Sequence, residues 1–142
     1  MKYSQLGRTG IDVSRVCLGT MTWGKQNTQA DADEQIAFAL DQGINFFDTA
    51  EMYAVPPTPE TYGKTESIIG NWLSRHASRR EEMVLATKIA GNGLSWVRGG
   101  GDVTGEAIIA SIDQSLDRLK TDYIDLYQIH WPNRTSPHFA KH

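Results

Sequence analysis

The feature that most restricts how this chain can fold is an alternation. Four short apolar runs, Arg15-Val16-Cys17-Leu18, Ile44-Asn45-Phe46-Phe47, Met83-Val84-Leu85-Ala86-Thr87 and Tyr123-Ile124-Asp125-Leu126-Tyr127-Gln128-Ile129, are separated by stretches with helical periodicity. The first such stretch covers about residues 31–42, with Ile36, Ala39 and Leu40 on one face, acidic residues in its first turn and Gly43 at its stop. The second, about 64–75, presents Ile68, Ile69, Trp72 and Leu73; the third is capped by Thr104 and carries Ile109, Ile112, Leu116 and Leu119 at spacings of three and four. Strands alternating with amphipathic helices pair in parallel through right-handed crossovers, so the expected architecture is α/β with the order βαβαβαβ.

A weakly alternating segment turns at Gly7-Arg8-Thr9-Gly10 and predicts a β-hairpin over residues 1–14. The βα units then occupy 15–130, and a terminal loop 131–142 follows with no fourth helix. Two long loops interrupt the pattern. Pro56, Pro57 and Pro59 exclude a helix or a central strand after the second apolar run. The glycine-rich stretch 91–101 is long enough to be read as functional or mobile.

Composition closes off several function classes. With 142 residues, 39% apolar and 22% charged, the chain suits one globular domain. A formal charge of −3 and no Lys/Arg-dense run argue against nucleic acid or an acidic membrane as the main partner. The basic cluster Arg75, His76, Arg79 and Arg80 is followed at once by Glu81 and Glu82 and reads as a solvated helix end. Cys17 is the only cysteine, so there is no internal disulfide and no thiol-rich metal site. Between Val16 and Leu18 it is expected as a small buried side chain, fitting a reducing cytoplasm. No signal core precedes it, and no apolar run approaches the ~18 residues of a membrane span. Without a secretion signal, the sequon Asn133-Arg134-Thr135 is a chance match.

The chemistry-bearing residues collect at strand ends. Asp48, Lys88 and His130 follow the second, third and fourth runs, and Tyr53 lies on the loop after the second. In a parallel sheet these ends share one rim, where α/β proteins keep their chemistry. A tyrosine near pH 7 is a poor acid or base alone. An ammonium beside it favours phenolate, a carboxylate holds that ammonium, and an imidazole hydrogen-bonds the reacting oxygen. The set suits protonation of a carbonyl oxygen as a nucleophile reaches its carbon. Each residue also has a plainer reading: Asp48 as a turn residue, Tyr53 as packing at a loop edge, Lys88 and Asp48 as a structural ion pair, His130 as a rim histidine. Their coincidence on successive strand ends favours the chemical one. Gly63-Lys64-Thr65 lacks the glycine five residues earlier that a phosphate loop needs, Thr58 standing there, and Gly99-Gly100-Gly101 lacks both the spacing and the strand-then-helix setting of a dinucleotide fingerprint.

Leu18-Gly19-Thr20-Met21, the run from Gly43 to Tyr53, Lys88, and the run from Asp122 to Pro132 resemble the aldo-keto reductases across essentially the whole chain. The stretch from Glu51 to Thr61 and the corner His130-Trp131-Pro132-Asn133-Arg134 are most similar to the Tas-type branch. The resemblance implies a (β/α)8 TIM barrel with a hairpin closing its bottom, and NADPH (NADP+) as cofactor. It implies a small-molecule carbonyl substrate and a catalytic quartet of Tyr53, Asp48, Lys88 and His130, with Tyr53 as proton donor. Cofactor contacts fall on Gly19, Thr20, Met21, Gln26 and Asp48. Trp23 and Trp96 are candidates for the substrate-pocket wall, although Trp23 equally suits core packing. The family's barrel has eight βα units, and this chain carries the hairpin, three units and a fourth strand, an N-terminal half-barrel. The nicotinamide stacking platform and the 2′-phosphate grip belong to the second half, so a C-terminal half-barrel, or a self-pairing equivalent, is the expected partner. Three readings follow: a portion of an NADPH-dependent reductase, which is favoured, a half-barrel acting as a binding or assembly piece, and a cofactor-sensing subunit with little turnover.

Overall fold

The computed structural model describes residues 1–134; the rest of the expected terminal loop, residues 135–142, lies outside the described residues. A hairpin of β1 (Tyr3–Gln5) and β2 (Asp12–Ser14) opens the chain. Four strands follow, β3 (Cys17–Gly19), β4 (Phe46–Asp48), β5 (Val84–Ile89) and β6 (Leu126–Ile129), in one parallel sheet ordered as in the sequence. The helices α1 (Gln29–Asp41), α2 (Lys64–Arg75) and α3 (Gly105–Leu119) make the three crossovers. The expected βαβαβαβ order is therefore present, with β3 and β6 at the two edges among the described residues.

Period-2 alternation decides what each face of this sheet does. Leu18 lies opposite Phe47, and Phe47 opposite Leu85. This row packs with Ile36, Leu40, Ile68, Ile69, Trp72 and Leu119 from the helices into one core. Burying each of these large side chains contributes about 1.5–3 kcal/mol. The next residues along the strands, Gly19, Asp48 and Ala86, are again opposite one another and point to the other, inner face. Among the described residues, no helix covers that face. The hairpin is clasped to the bottom of the sheet by Asn45, whose Oδ1 accepts from the Ser14 N–H at 2.7 Å while its Nδ2 donates to the Asp12 carbonyl at 3.0 Å.

Local chemistry moves several boundaries. Helix α1 begins at Gln29, two residues before the expected start. The Thr28 hydroxyl accepts from the Asp31 N–H and the Asp31 carboxylate accepts from the Thr28 N–H, a reciprocal cap. Strand β6 begins at Leu126 rather than Tyr123. The Asp125 carboxylate, not a strand partner's carbonyl, takes the Leu85 N–H at 2.9 Å, so a side chain replaces the ladder there.

Three expectations are corrected. Arg80 is not solvated: it is only 7% exposed, and its guanidinium donates to Asp125 Oδ2 at 2.7 Å and to the carbonyls of Met83 and Tyr123. Its neighbours Arg75 and Arg79 do pair at the surface, with Asp33 and with Asp41 and Glu82. Cys17 is exposed rather than buried, because strand alternation turns it to the uncovered inner face; Val16 beside it is exposed as well. In α3 the buried row is Ser111, Ser115 and Leu119, and Ile109 is 64% exposed. The helix is rolled so that Ser111 meets the buried Glu51 carboxylate, while Ser115 Oγ accepts from Arg118 of the same helix. The loop 91–101 is tied down: the Gly93 N–H donates to the Gly100 carbonyl and the Val97 N–H to the Leu94 carbonyl, closing it around a 3-10 turn at Arg98–Gly100.

Glycine permits the tightest contact between helices. A Cβ at Gly70 of α2 would overlap the backbone of Arg118 and Leu119 at the end of α3. The two helices can approach this closely only without a side chain there.

Candidate active site

The inner face of the sheet and the loops above its carboxyl ends carry the titratable residues. Asp48 ends β4, Lys88 lies two residues beyond Ala86, the residue paired with Asp48, and His130 directly follows β6. Asp48, Lys88 and His130 share the inward parity. The Lys88 Nζ reaches back along the face and donates to Asp48 Oδ2 at 2.7 Å and to the Thr49 carbonyl at 2.8 Å. Its ammonium also stands 5.1 Å from the centroid of the Tyr53 ring. The His130 ring meets Tyr53 edge-on, with centroids 5.6 Å apart and planes at 82°. The structure brings all four expected residues together, around a Tyr53 that is itself buried.

The electrostatics assign His130 a protonation state. Burial first, and then the nearby Lys88 ammonium, push its imidazole from the ordinary value down to about 4, so at neutral pH it is uncharged. Among the described residues its buried Nδ1 has no hydrogen-bond partner. A neutral imidazole beside a phenol can hydrogen-bond the oxygen that takes the phenol's proton without competing for that proton.

The remaining candidates are placed differently. Gly19 lies on the inner face with open space where a Cβ would stand, Met21 is exposed at the rim, and Gln26 is exposed on the loop before α1. The Thr20 side chain is buried and donates its hydroxyl to the Asp48 carbonyl at 2.8 Å, propping the strand end rather than facing the opening. Trp23 is in the core, its indole N–H donating to Gln35 Oε1 at 3.0 Å, so the packing alternative describes its surroundings. Trp96 is 40% exposed on the 91–101 loop. Among the described residues, no group of three or more His, Cys, Asp or Glu could hold a metal ion, and no helix is long and apolar enough to cross a membrane.

Sequence reasoning missed Gln128, Glu51 and Arg98. Gln128 Nε2 lies 3.5 Å from Asp48 Oδ1, on the inward parity of β6. Glu51 is fully buried two residues before Tyr53, with Arg98 Nη1 on its Oε1 at 2.7 Å. A signal for that pair existed, since Arg98 is the only charged residue between Gly91 and Gly101.

Comparison with known proteins covers nearly the whole chain. The aldo/keto reductase family model matches residues 15–141. Protein tas of Escherichia coli (strain K12) is 46% identical over 99% of this chain and 41% of its own length. The uncharacterized oxidoreductase YrpG of Bacillus subtilis (strain 168) is 44% identical over 96% of this chain and 42% of its own. The chain thus spans about two-fifths of the length of the curated relatives it matches. Among solved structures, the thermostable aldo-keto reductase Tm1743, crystallised with the inhibitor epalrestat, superposes with a TM-score of 0.73 at 31% identity, over 96% of this chain and 45% of that one. The parallel sheet and its three crossovers are accordingly part of the TIM-barrel fold of that neighbour. A family match running from the first sheet strand past His130, on a rim that gathers an acid, an ammonium, a phenol and an imidazole, places the chain in the aldo/keto reductase family, on its Tas-type branch.

Proposed function

We propose that residues 1–142 form the proton-handling half of an NADPH-dependent reductase that converts aldehydes or ketones to alcohols, with Tyr53 as the proton donor. The observation that supports this most directly is that Tyr53 has both the Lys88 ammonium, 5.1 Å from its ring centroid, and the uncharged His130, 5.6 Å away, as neighbours.

The inner face suits a nicotinamide cofactor. Open space at Gly19 and the exposed Met21 leave uncovered surface beside the Asp48 carboxylate, which Lys88 does not fully engage. Gly19, Met21, Gln26 and Asp48 would hold the cofactor there, with Thr20 bracing Asp48 from behind. A nicotinamide bound there would supply the hydride chemistry. The chain's own residues manage the oxygen. The Tyr53 hydroxyl gives its proton to the oxygen as negative charge develops on it, and the electron pair of that O–H bond stays on the phenol. The Lys88 ammonium, fixed by Asp48 and the Thr49 carbonyl, stabilises the charge left on the phenol. His130 orients the carbonyl oxygen by hydrogen bonding. Positioned proton transfer of this kind is worth about 10²–10⁴-fold in rate.

Among the described residues β3 and β6 are the sheet edges, which suits pairing with a second half-barrel, and turnover is accordingly assigned to the completed barrel. The test is Tyr53→Phe in the complete reductase. Carbonyl reduction is expected to be lost while NADPH still binds, followed by nicotinamide fluorescence. Unchanged turnover removes Tyr53 as the acid.

A further inference from the structure

The Glu51 carboxylate is fully buried and accepts from four donors on four different segments. Its Oε1 takes the Ala90 N–H at 2.6 Å and Arg98 Nη1 at 2.7 Å; its Oε2 takes the Ser111 hydroxyl at 2.5 Å and the Tyr62 hydroxyl at 3.0 Å. Tyr127 of β6 donates in turn to Ser111 Oγ at 2.9 Å. Burial pushes both phenols up to about 12, Tyr62 further raised by Glu51, so both remain donors. One side chain thus joins the turn that carries Tyr53, the exit of β5 beyond Lys88, the 91–101 loop, helix α3 and, through Ser111, the strand that leads to His130.

The contacts through Arg98 form a closed circuit around the rim. Arg98 Nη2 donates to the Ala90 carbonyl at 2.7 Å. The loop returns to Asn92, whose carbonyl accepts from the Trp131 indole N–H at 3.0 Å. The Trp131 ring lies 5.2 Å from the His130 ring, and His130 lies 5.6 Å from Tyr53, two residues from Glu51. Gly91 lets this circuit close, since a Cβ there would overlap Trp131. The two ends of the loop are bonded to each other, Gly93 N–H to Gly100 carbonyl at 3.0 Å, which couples the Arg98 side of the loop to the Asn92 side. Within the loop Arg98 itself has a φ of 48°, while its neighbours Gly99 and Gly100, at 66° and 76°, take such values freely. A non-glycine residue adopts such a φ when its surroundings impose it.

We propose that Glu51 is a positioning residue: its ion pair with Arg98 latches the 91–101 loop onto the rim and, through Asn92 and Trp131, holds His130 against Tyr53. The latch itself follows from the geometry alone; its effect on turnover rests on the carbonyl-reductase reading given above. A buried ion pair that merely stabilised the fold would leave the properly folded enzyme fully active. A latch changes how the active enzyme works on its substrate.

The experiment uses the complete reductase with Glu51→Gln, Arg98→Met and Arg98→Lys, each measured at a temperature where the protein is folded by circular dichroism. Two readouts are taken. Trypsin cleavage after Arg98, identified by fragment mass, reports loop release without reference to activity. Steady-state kinetics on a carbonyl substrate, with NADPH affinity measured separately, reports positioning. Glu51→Gln is expected to be cut after Arg98 at least tenfold faster than wild type. Its kcat/KM falls at least tenfold while NADPH affinity stays within threefold. Arg98→Met, which has lost the cleavage site, shows the same kinetic loss, and Arg98→Lys, which keeps the charge, recovers most of it. If Glu51→Gln does not fold, the contrast between Arg98→Met and Arg98→Lys decides alone. Cleavage and kcat/KM both within threefold of wild type overturn the latch. A released loop with unchanged kcat/KM overturns the positioning role, as does an equal loss in Arg98→Met and Arg98→Lys. A wild-type enzyme that reduces no carbonyl compound but whose cleavage accelerates in Glu51→Gln retains the latch and overturns the reductase reading instead.

Discussion

Lys88 Nζ lies 2.7 Å from Asp48 Oδ2, although in the sheet Asp48 is paired with Ala86, two residues before Lys88. Both side chains have the inward parity, and the long lysine stem leans back down the face to meet the carboxylate. The ammonium is thereby brought under Tyr53 instead of into solvent, which links the strand register to the proposed chemistry.

Lys88→Met is expected to leave the Asp48 carboxylate, 30% exposed, without its ion partner. Partial rehydration limits the cost to about 1–3 kcal/mol, read by urea denaturation of the complete enzyme. Turnover should fall by about 10²–10⁴-fold. A variant with wild-type kcat would show that the ion pair is structural only.

His130 makes stability depend on pH with a definite sign. Its folded-state value of about 4 is below the ordinary 6.5, so between those values the unfolded chain binds the extra proton. Stability therefore rises with pH across that window and falls as the solution is acidified from 6.5 toward 4. His130→Gln should flatten this part of the profile in denaturation midpoints measured at several pH values. Equal slopes in wild type and variant would show that His130 does not contribute.

Two glycine replacements should separate packing from positioning. Gly70→Ala forces α2 away from the end of α3 and is expected to cost about 1–3 kcal/mol of stability while leaving the rate per folded molecule unchanged. Gly91→Ala strikes Trp131, beside His130, and should lower kcat/KM of the folded enzyme at least tenfold. Thermal melts and kinetics on both proteins check the contrast.

Purified residues 1–142 are expected to bind NADPH more weakly than micromolar and to reduce no carbonyl compound, because the chain spans about two-fifths of the length of its curated relatives. Fluorescence titration with NADPH tests this. Micromolar or tighter binding would mean that the inner face of this half holds the cofactor unaided.

What was legible in the residues was whatever depends on periodicity and local chemistry. Runs such as Met83–Thr87 announce a strand, and Ile68, Ile69, Trp72 and Leu73 announce one covered face of a helix. From these the parallel order follows, and with it the gathering of Asp48, Lys88 and His130 on one rim. The hairpin, the start of α3 after Thr104 and the span of α2 were readable for the same reason. Periodicity cannot say what lies on the far side of a face. Hence Ile109 was taken as core although two of the three buried residues of α3 are serines, and Cys17 was taken as buried although it stands exposed at the edge strand β3. Charges that meet across the fold were equally hidden. Glu51 and Arg98 are 47 residues apart, and Arg80 and Asp125 are 45 apart. A buried charge is tolerable only with a partner, and which partner reaches it depends on how loops from separate strand ends converge. That convergence is a property of the packed sheet and helices, and it turned Arg80 from a surface charge into a buried clamp and Glu51 from a bystander into the junction of the rim.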